Sequence, residues 1–286
     1  MKNIAIMTDS NSGITQKQAG EMGIYVIPMP FDIDDGEYFE DINLTQEEFY
    51  DKLVNGAEIS TSQPSVETLI NEWNTLLKSY DQVVHIPMSS GLSGSCDTAR
   101  AMAEDFKGRV IVVDNQHISV TQRQSALDAR KLAEEGKTGE EIRDILERTK
   151  MDSMIYITVD TLEYLKKGGR LTPAVAAIGS ILKIKPVLKI KGEKLDKFSM
   201  ARTMKHAKGI MTEAIQKDIR QMDPEGLGAN MHIAIAHTKN YEAACVFRDE
   251  LLKIYPGHDI YIDKLSLSVA CHIGPGALAV TCMKKL

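Results

Sequence analysis

Residues 82–114, QVVHIPMSSGLSGSCDTARAMAEDFKGRVIVVD, pass from an apolar segment through a hydroxyl- and glycine-rich loop into a helical pattern and out into another apolar segment. QVVHIPM (82–88) and RVIVVD (109–114) are short, nearly continuous apolar runs, the pattern of strands covered on both faces. Between them Cys96, Ala99, Ala103 and Phe106 recur at helical spacing directly after SSGLSGS (89–95). Strand, loop, helix and strand in this order make a βαβ unit, with parallel strands and a right-handed crossover. A third apolar run, KNIAIM (2–7), precedes a helix striped by Val66, Leu69, Ile70, Trp73, Leu76, Leu77 and Tyr80. Pro64 fits the first turn of that helix, where its missing N–H costs nothing. The N-terminal half therefore reads as an α/β domain with a mainly parallel sheet.

Helices rich in polar residues around 120–135 and 139–150 lead to a second α/β set. Its strands are expected at 153–159, 231–236, 259–262 and 277–283, and its helices at 202–222 and 241–255. The segment KIKGEKLDKFSM (189–200) predicts a hairpin turned at Gly192 and Glu193. The expected fold is α/β in two domains, residues 1–152 and 153–286.

With 286 residues, 43% of them apolar, the chain can bury a core in each domain. A net charge of −6 argues against a broad nucleic-acid-binding face. Cys96, Cys245, Cys271 and Cys282 form no CxxC pair, so neither a disulfide framework nor a metal site is indicated, and buried thiols are expected. The first ten residues contain no signal-peptide core, and the longest uncharged apolar stretch, 173–182, is about half of a bilayer span. A cytoplasmic protein with at most transient membrane contact is expected.

Three polar loops stand where chemistry collects: TDSNSG (8–13), STSQPS (60–65) and SSGLSGS. The first and last follow strands, and ligands of parallel sheets gather beyond the strands' carboxyl ends. Ser93 and Thr61 offer hydroxyls, and the first turn of the helix after SSGLSGS offers free N–H groups to an anion. Such hydroxyls equally serve as helix caps. Ser93 as a nucleophile is disfavoured, because GLSGS lacks the second glycine of a GxSxG elbow and the chain order Asp9, Ser93, His272 matches no familiar triad. Without GxxxxGK[ST] or GxGxxG, no ATP or dinucleotide site is marked. His272 lies in the glycine-rich turn CHIGPGA (271–277), where it can hydrogen-bond or charge-pair with an anion. PAVAAIGSIL (173–182) is apolar almost all round, either core or the wall of a channel, and Phe31, Ile33, Leu188 and Met200 are open to the same two readings.

TDSNSG, TSQPS, SSGLSG, LEYLKKGGRL (162–171) and HIGPGA, in this order over essentially the whole chain, resemble the bacterial DegV family of fatty-acid-binding proteins. The resemblance implies two α/β domains with one long-chain fatty acid, such as palmitate, held between them and its tail in an apolar channel. It assigns the carboxylate to Thr61 and Ser93, with His272 close by, and places Ser62, Ser90, Gly91, Gly94, Asp9 and Ser10 on the neighbouring loops. It implies no catalysis and no cofactor in this chain, and a separate fatty acid kinase as partner that phosphorylates the carboxylate to acyl phosphate. The basic turn at Lys166, Lys167 and Arg170, with Arg202, is the expected docking point for that kinase. Ser95 stands where the family more often has threonine, which keeps the hydroxyl.

Overall fold

In the computed structural model, which describes residues 3–34, 36–170, 172–176 and 184–286, the chain divides into two compact units. One is Met1–Lys150 with Ser266–Ser268, the other Met151–Leu265 with Val269–Leu286. Ser266–Ser268, which a single cut near residue 152 would leave in the second unit, belong to the first.

The first unit holds strands β1 (Ile4–Asp9), β2 (Tyr25–Ile27), β3 (Pro30–Ile33), β4 (Gly36–Phe39), β5 (Ile59–Thr61), β6 (Gln82–Ile86) and β7 (Val110–Val112). Its helices are α1 (Gln16–Met22), α2 (Gln46–Val54), α3 (Val66–Leu76), α4 (Ser95–Ala103), α5 (Ser119–Glu134) and α6 (Gly139–Arg148). The main sheet runs β2-β1-β6-β7 with every pair parallel. Alternation along these strands divides their side chains between two cores. Ala5, Met7, Val83 and Val112 meet Leu69, Trp73 and Ala99 of α3 and α4. Ile6, Val84, Ile86 and Val113 meet Ala126, Ala129, Ile142 and Leu146 of α5 and α6.

β4-β3-β5 form a small antiparallel sheet that the sequence pattern did not announce. Its strands are three or four residues long, too short for alternation to register. Phe31 and Ile33 are buried in it. Pro64 also departs from expectation. Ser65 is the N-cap of α3, accepting from the Thr68 N–H at 3.0 Å, so Pro64 lies before the helix and not in its first turn.

The second unit is built on β8 (Ser153–Thr158), β9 (Lys185–Lys191), β10 (Lys194–Ala201), β11 (Met231–His237), β12 (Tyr261–Lys264) and β13 (Leu278–Lys284), ordered β10-β9-β8-β13-β11-β12. Only β11 and β12 pair in parallel, so this is a mixed sheet. The β9–β10 hairpin turns at Gly192, whose φ of 64° is one that glycine adopts without strain.

Helices α7 (Glu163–Lys167), α8 (Pro173–Ala176), α9 (Met204–Met222), α10 (Tyr241–Ile254) and α11 (Leu267–Ile273) complete the chain. Met211, Ile215 and Ile219 of α9 and Phe247 and Leu251 of α10 pack on Ile233, Ile235, Val280 and Cys282. Leu188 is buried, whereas Met200 is 43% exposed. Of the apolar run 173–182 only 173–176 lie among the described residues, and 177–182, like Leu171, fall outside them. Among the described residues no helix is long and apolar enough to cross a membrane.

Candidate functional site

Parallel pairing of β1 with β6 sets Thr8 opposite Ile86, so the loops that follow these strands share one rim of the sheet. Asp9 ties them together. Its Oδ1 accepts from the Asn11 N–H at 2.9 Å, from Asn11 Nδ2 at 2.9 Å and from Gln122 Nε2 at 3.1 Å, while Oδ2 accepts from the Met88 N–H at 2.7 Å. Burial pushes the Asp9 carboxyl above its ordinary value, against the opposing pull of these hydrogen bonds. Its oxygens serve loop architecture and orient no histidine. Ser10 has a similar task, its Oγ accepting from the Met29 N–H at 3.0 Å. Ser268, in the segment that returns to this unit, donates to Asn11 Oδ1 at 2.5 Å.

SSGLSGS is a tight turn hung on the buried Ser89. The Ser89 N–H donates to the His117 carbonyl at 2.9 Å, and the Ser89 carbonyl accepts from Leu92 and Ser93 N–H at 3.0 and 3.2 Å. Ser90 donates its hydroxyl to Asp114 Oδ2 at 2.7 Å, and the Gly91 N–H donates to Ser89 Oγ at 3.3 Å. Ser93 is half-buried, and its Oγ accepts from the Ser95 N–H at 3.2 Å.

α4 opens at Gly94 with φ −70° and no side-chain cap from that residue. Beyond the Ser95 N–H, its first turn therefore keeps donors that a capping side chain would otherwise take. α3, in contrast, is capped by Ser65. Capping therefore accounts for neither Thr61 nor Ser62. Thr61 ends β5 opposite Phe31 and is half-buried, and the exposed Ser62 donates its N–H to the Pro30 carbonyl at 3.2 Å. The STSQPS loop reaches α4 through Thr98, which donates to Gln63 Oε1 at 3.1 Å. Asp9, Gln63, Pro64, Pro87 and Ser95 line one cavity, so residues in or bordering all three polar loops meet there.

Sequence reasoning passed over the layer beneath these loops. Gln122 of α5 donates to Thr8 Oγ1 at 3.0 Å as well as to Asp9, and Asn115 and His117 bond Ser125 at 2.7 and 2.8 Å. The available signal was position: VDNQHIS (113–119) follows β7 at the same rim as the other two loops.

Burial lowers the His85 imidazole to about 3 and the His117 imidazole to about 4, so both are neutral in the folded protein. Their folded values lie below the unfolded one of about 6.5, so the unfolded chain takes up protons first on acidification. Their contribution is whole above about pH 6.5 and is lost as the pH falls toward 4 and 3. Unfolding free energy measured by urea titration is expected to drop by about 1 kcal/mol per histidine between pH 6 and pH 5.

In the second unit His272, near the end of α11, packs against Gly168 at the end of α7. A methyl group built on Gly168 would overlap His272 Nδ1. One on Gly274 would overlap the Tyr164 ring, and one on Gly276 would lie 2.6 Å from the Asp160 carboxylate, which is itself paired with Lys185 at 2.5 Å. Arg170 is exposed and donates to the Gly168 carbonyl at 2.6 Å. Burial, then the Arg170 charge, brings His272 down to about 4, so this imidazole is neutral near pH 7 and suited to hydrogen bonding. Arg202 is exposed. Among the described residues no group of three or more His, Cys, Asp or Glu could hold a metal ion.

Comparison with known proteins adds a consistent picture. Protein DegV of Bacillus subtilis is 33% identical over 282 residues, covering 97% of this chain and 98% of its own. The crystal structure of the B. subtilis fatty acid binding protein DegV superposes with a TM-score of 0.88 at 31% identity, covering 100% of both chains. A DegV family protein of Thermus thermophilus, solved for its fatty acid binding, gives a TM-score of 0.90 at 31% identity over 99% of each chain. The model of the uncharacterised DegV family matches residues 3–285, and with it the loops just described, so the chain belongs to the DegV family.

Proposed function

We propose that this protein is a non-catalytic carrier of one long-chain fatty acid, which it presents to a separate fatty acid kinase in the cytoplasm. The carrying observation is the meeting of the three polar loops at one rim of the first unit, beside a helix start without a side-chain cap. Ser93 and Thr61 belong to two of these loops and are half-buried, close enough to solvent to meet a ligand, and neither is the residue that caps α3. A carboxylate taken out of water needs several donors, and two hydroxyls with a helix N-terminus supply them. His272 of the second unit is, by its lowered pKa, a neutral hydrogen-bonding group near pH 7. The fatty acid binding of similar proteins from B. subtilis and T. thermophilus supports the ligand class. A sixteen-carbon tail, at about 0.8 kcal/mol per buried methylene, contributes on the order of 10 kcal/mol before ordering costs, so the tail sets affinity and the loops set direction.

Protein purified without added lipid is expected to release about one fatty acid per chain on denaturation, identified by mass spectrometry. Extracts that repeatedly contain no acyl chain, together with labelling of Ser93 by a serine-directed phosphonate, would overturn the carrier reading in favour of a hydrolase.

The kinase is expected to dock on the basic turn of Lys166, Lys167 and the exposed Arg170, with Arg202. Charge reversal at such a rim slows association more than it alters the bound ligand. Arg170→Glu should lower acyl-phosphate formation with a cognate kinase about tenfold while leaving the fatty acid content of the purified protein unchanged. Equal phosphorylation of both proteins would remove this turn from the docking surface.

A further inference from the structure

The cavity that gathers the three loops has a floor the carrier reading does not use. The polar side chains in its lining include Asp9, Gln63, His85, Ser95 and Thr98. It encloses about 280 Å³ with its open mouth included, and the part a water molecule can enter is about one water in size. His85 is 3% exposed and Ser95 8%, and Nδ1 and Nε2 of His85 and Oγ of Ser95 have no hydrogen-bond partner among the described residues. A buried polar atom left unpaired is destabilising, so each calls for a partner.

The lining selects what can fill this space. Beneath the loops that the carrier reading gives to the acyl carboxylate, a second anion is disfavoured by the Asp9 carboxylate in the wall and by the neutrality of His85, whose imidazole burial lowers to about 3. A cation finds both Asp9 oxygens already accepting, from Asn11, Gln122 and Met88. Thr98 already donates its hydroxyl to Gln63. What remains is a neutral imidazole, with one donor and one acceptor nitrogen, and a serine hydroxyl that can do either. The complement is a small neutral molecule that both donates and accepts.

We propose that the cavity is a site for a single ordered water, bonded to a ring nitrogen of His85 and to Ser95 Oγ, and that it supports the head-group loop from behind. Ser95 carries the N–H that holds Ser93 Oγ at 3.2 Å. A water fixing the Ser95 side chain therefore fixes the first residue of α4 and, through it, the hydroxyl offered to the ligand. This last step rests on the carrier reading, whereas the water site itself does not.

The test is a crystal structure of the full chain at a resolution that shows waters, for the parent protein, His85→Phe and Ser95→Ala, with fatty acid affinity measured on all three. The parent should hold one water within hydrogen-bond distance of His85 and Ser95. The Phe variant, which keeps the ring volume, should lose it. Ser95→Ala should weaken fatty acid binding about fivefold although the backbone bond to Ser93 survives. A dry cavity in the parent, a water that persists in both variants, or unchanged affinity in Ser95→Ala would each overturn the proposal. Failure of the carrier reading has a different signature: the water is present in the parent and absent from His85→Phe, while none of the three proteins binds a fatty acid.

Discussion

Replacing Thr61 by valine and Ser93 by alanine together is expected to weaken binding of a long-chain fatty acid by about two to four orders of magnitude. A hydrogen bond to a charged group contributes roughly 1.5–3 kcal/mol, and two are removed. The loss is at the upper end if the carboxylate stays buried, because the remaining donors cannot compensate for its desolvation. The substitutions are chosen for shape. Valine keeps the β-branched shape that suits Thr61 at the end of β5, and Ser93 Oγ receives only the Ser95 N–H among its described hydrogen bonds. Titration calorimetry with a fatty acid reports the affinity, and a thermal melt of the ligand-free proteins reports the fold. A double variant that binds within threefold of the parent would take the head group away from these loops. The corresponding fatty alcohol provides the control: its affinity should fall far less, since no charge is stranded.

Gly168→Ala is the second large effect. Gly168 has φ −75°, which alanine adopts freely, so backbone strain plays no part. The cost comes from the added methyl, which overlaps His272 Nδ1 and also approaches Cε1 at 2.9 Å and Cγ at 3.1 Å. Three ring atoms of His272 lie in the way, so the whole imidazole and not just its tip has to shift. Overpacking of this kind costs about 1–3 kcal/mol, and contact with a rigid ring puts it near 3. Two readouts are expected to move together: the urea midpoint of the second unit falls, and fatty acid retained through purification drops about tenfold or more. A stable variant with full acyl content would show that His272 has no part in holding the ligand.

Residues whose environment is set by periodicity were legible in the order of side chains alone. The Trp73 stripe, the apolar runs of β1, β6 and β7, the α9 pattern and the turn at Gly192 each express local geometry along the chain. The β3–β5 sheet was hidden because its strands are shorter than the window in which alternation can be recognised. α5 was read as a helix, but its polar composition did not say which way it faces. Ser119, Thr121, Gln122, Ser125 and Asp128 are buried, and Gln122 and Ser125 bond Thr8, Asp9, Asn115 and His117 of the loops, a matching that depends on three-dimensional pairing.

The polar loops were found by position, after strands and before helices. Their division of labour was not. Only the hydrogen bonds show that Asp9, Ser10 and Ser90 hold the backbone of these loops together. In the same way, Ser65 and not a neighbouring hydroxyl caps α3, a choice of one residue among four candidates in STSQPS that no spacing rule makes.

The place of β13 has a consequence for how the second unit is made. β8, β9 and β10 form a meander on one side of it, and β11 and β12 a pair on the other, and within the sheet these two pieces are joined through Leu278–Lys284. Until that segment has been synthesised, both pieces carry an open edge with unpaired backbone groups, β8 on one and β11 on the other. The joining strand closes contacts across more than a hundred residues of chain, the kind of step that slows folding. A nascent chain is thus held back from a finished second sheet until β13 is free, and in that interval its exposed edges are where a chaperone, or a second unfinished chain, would pair.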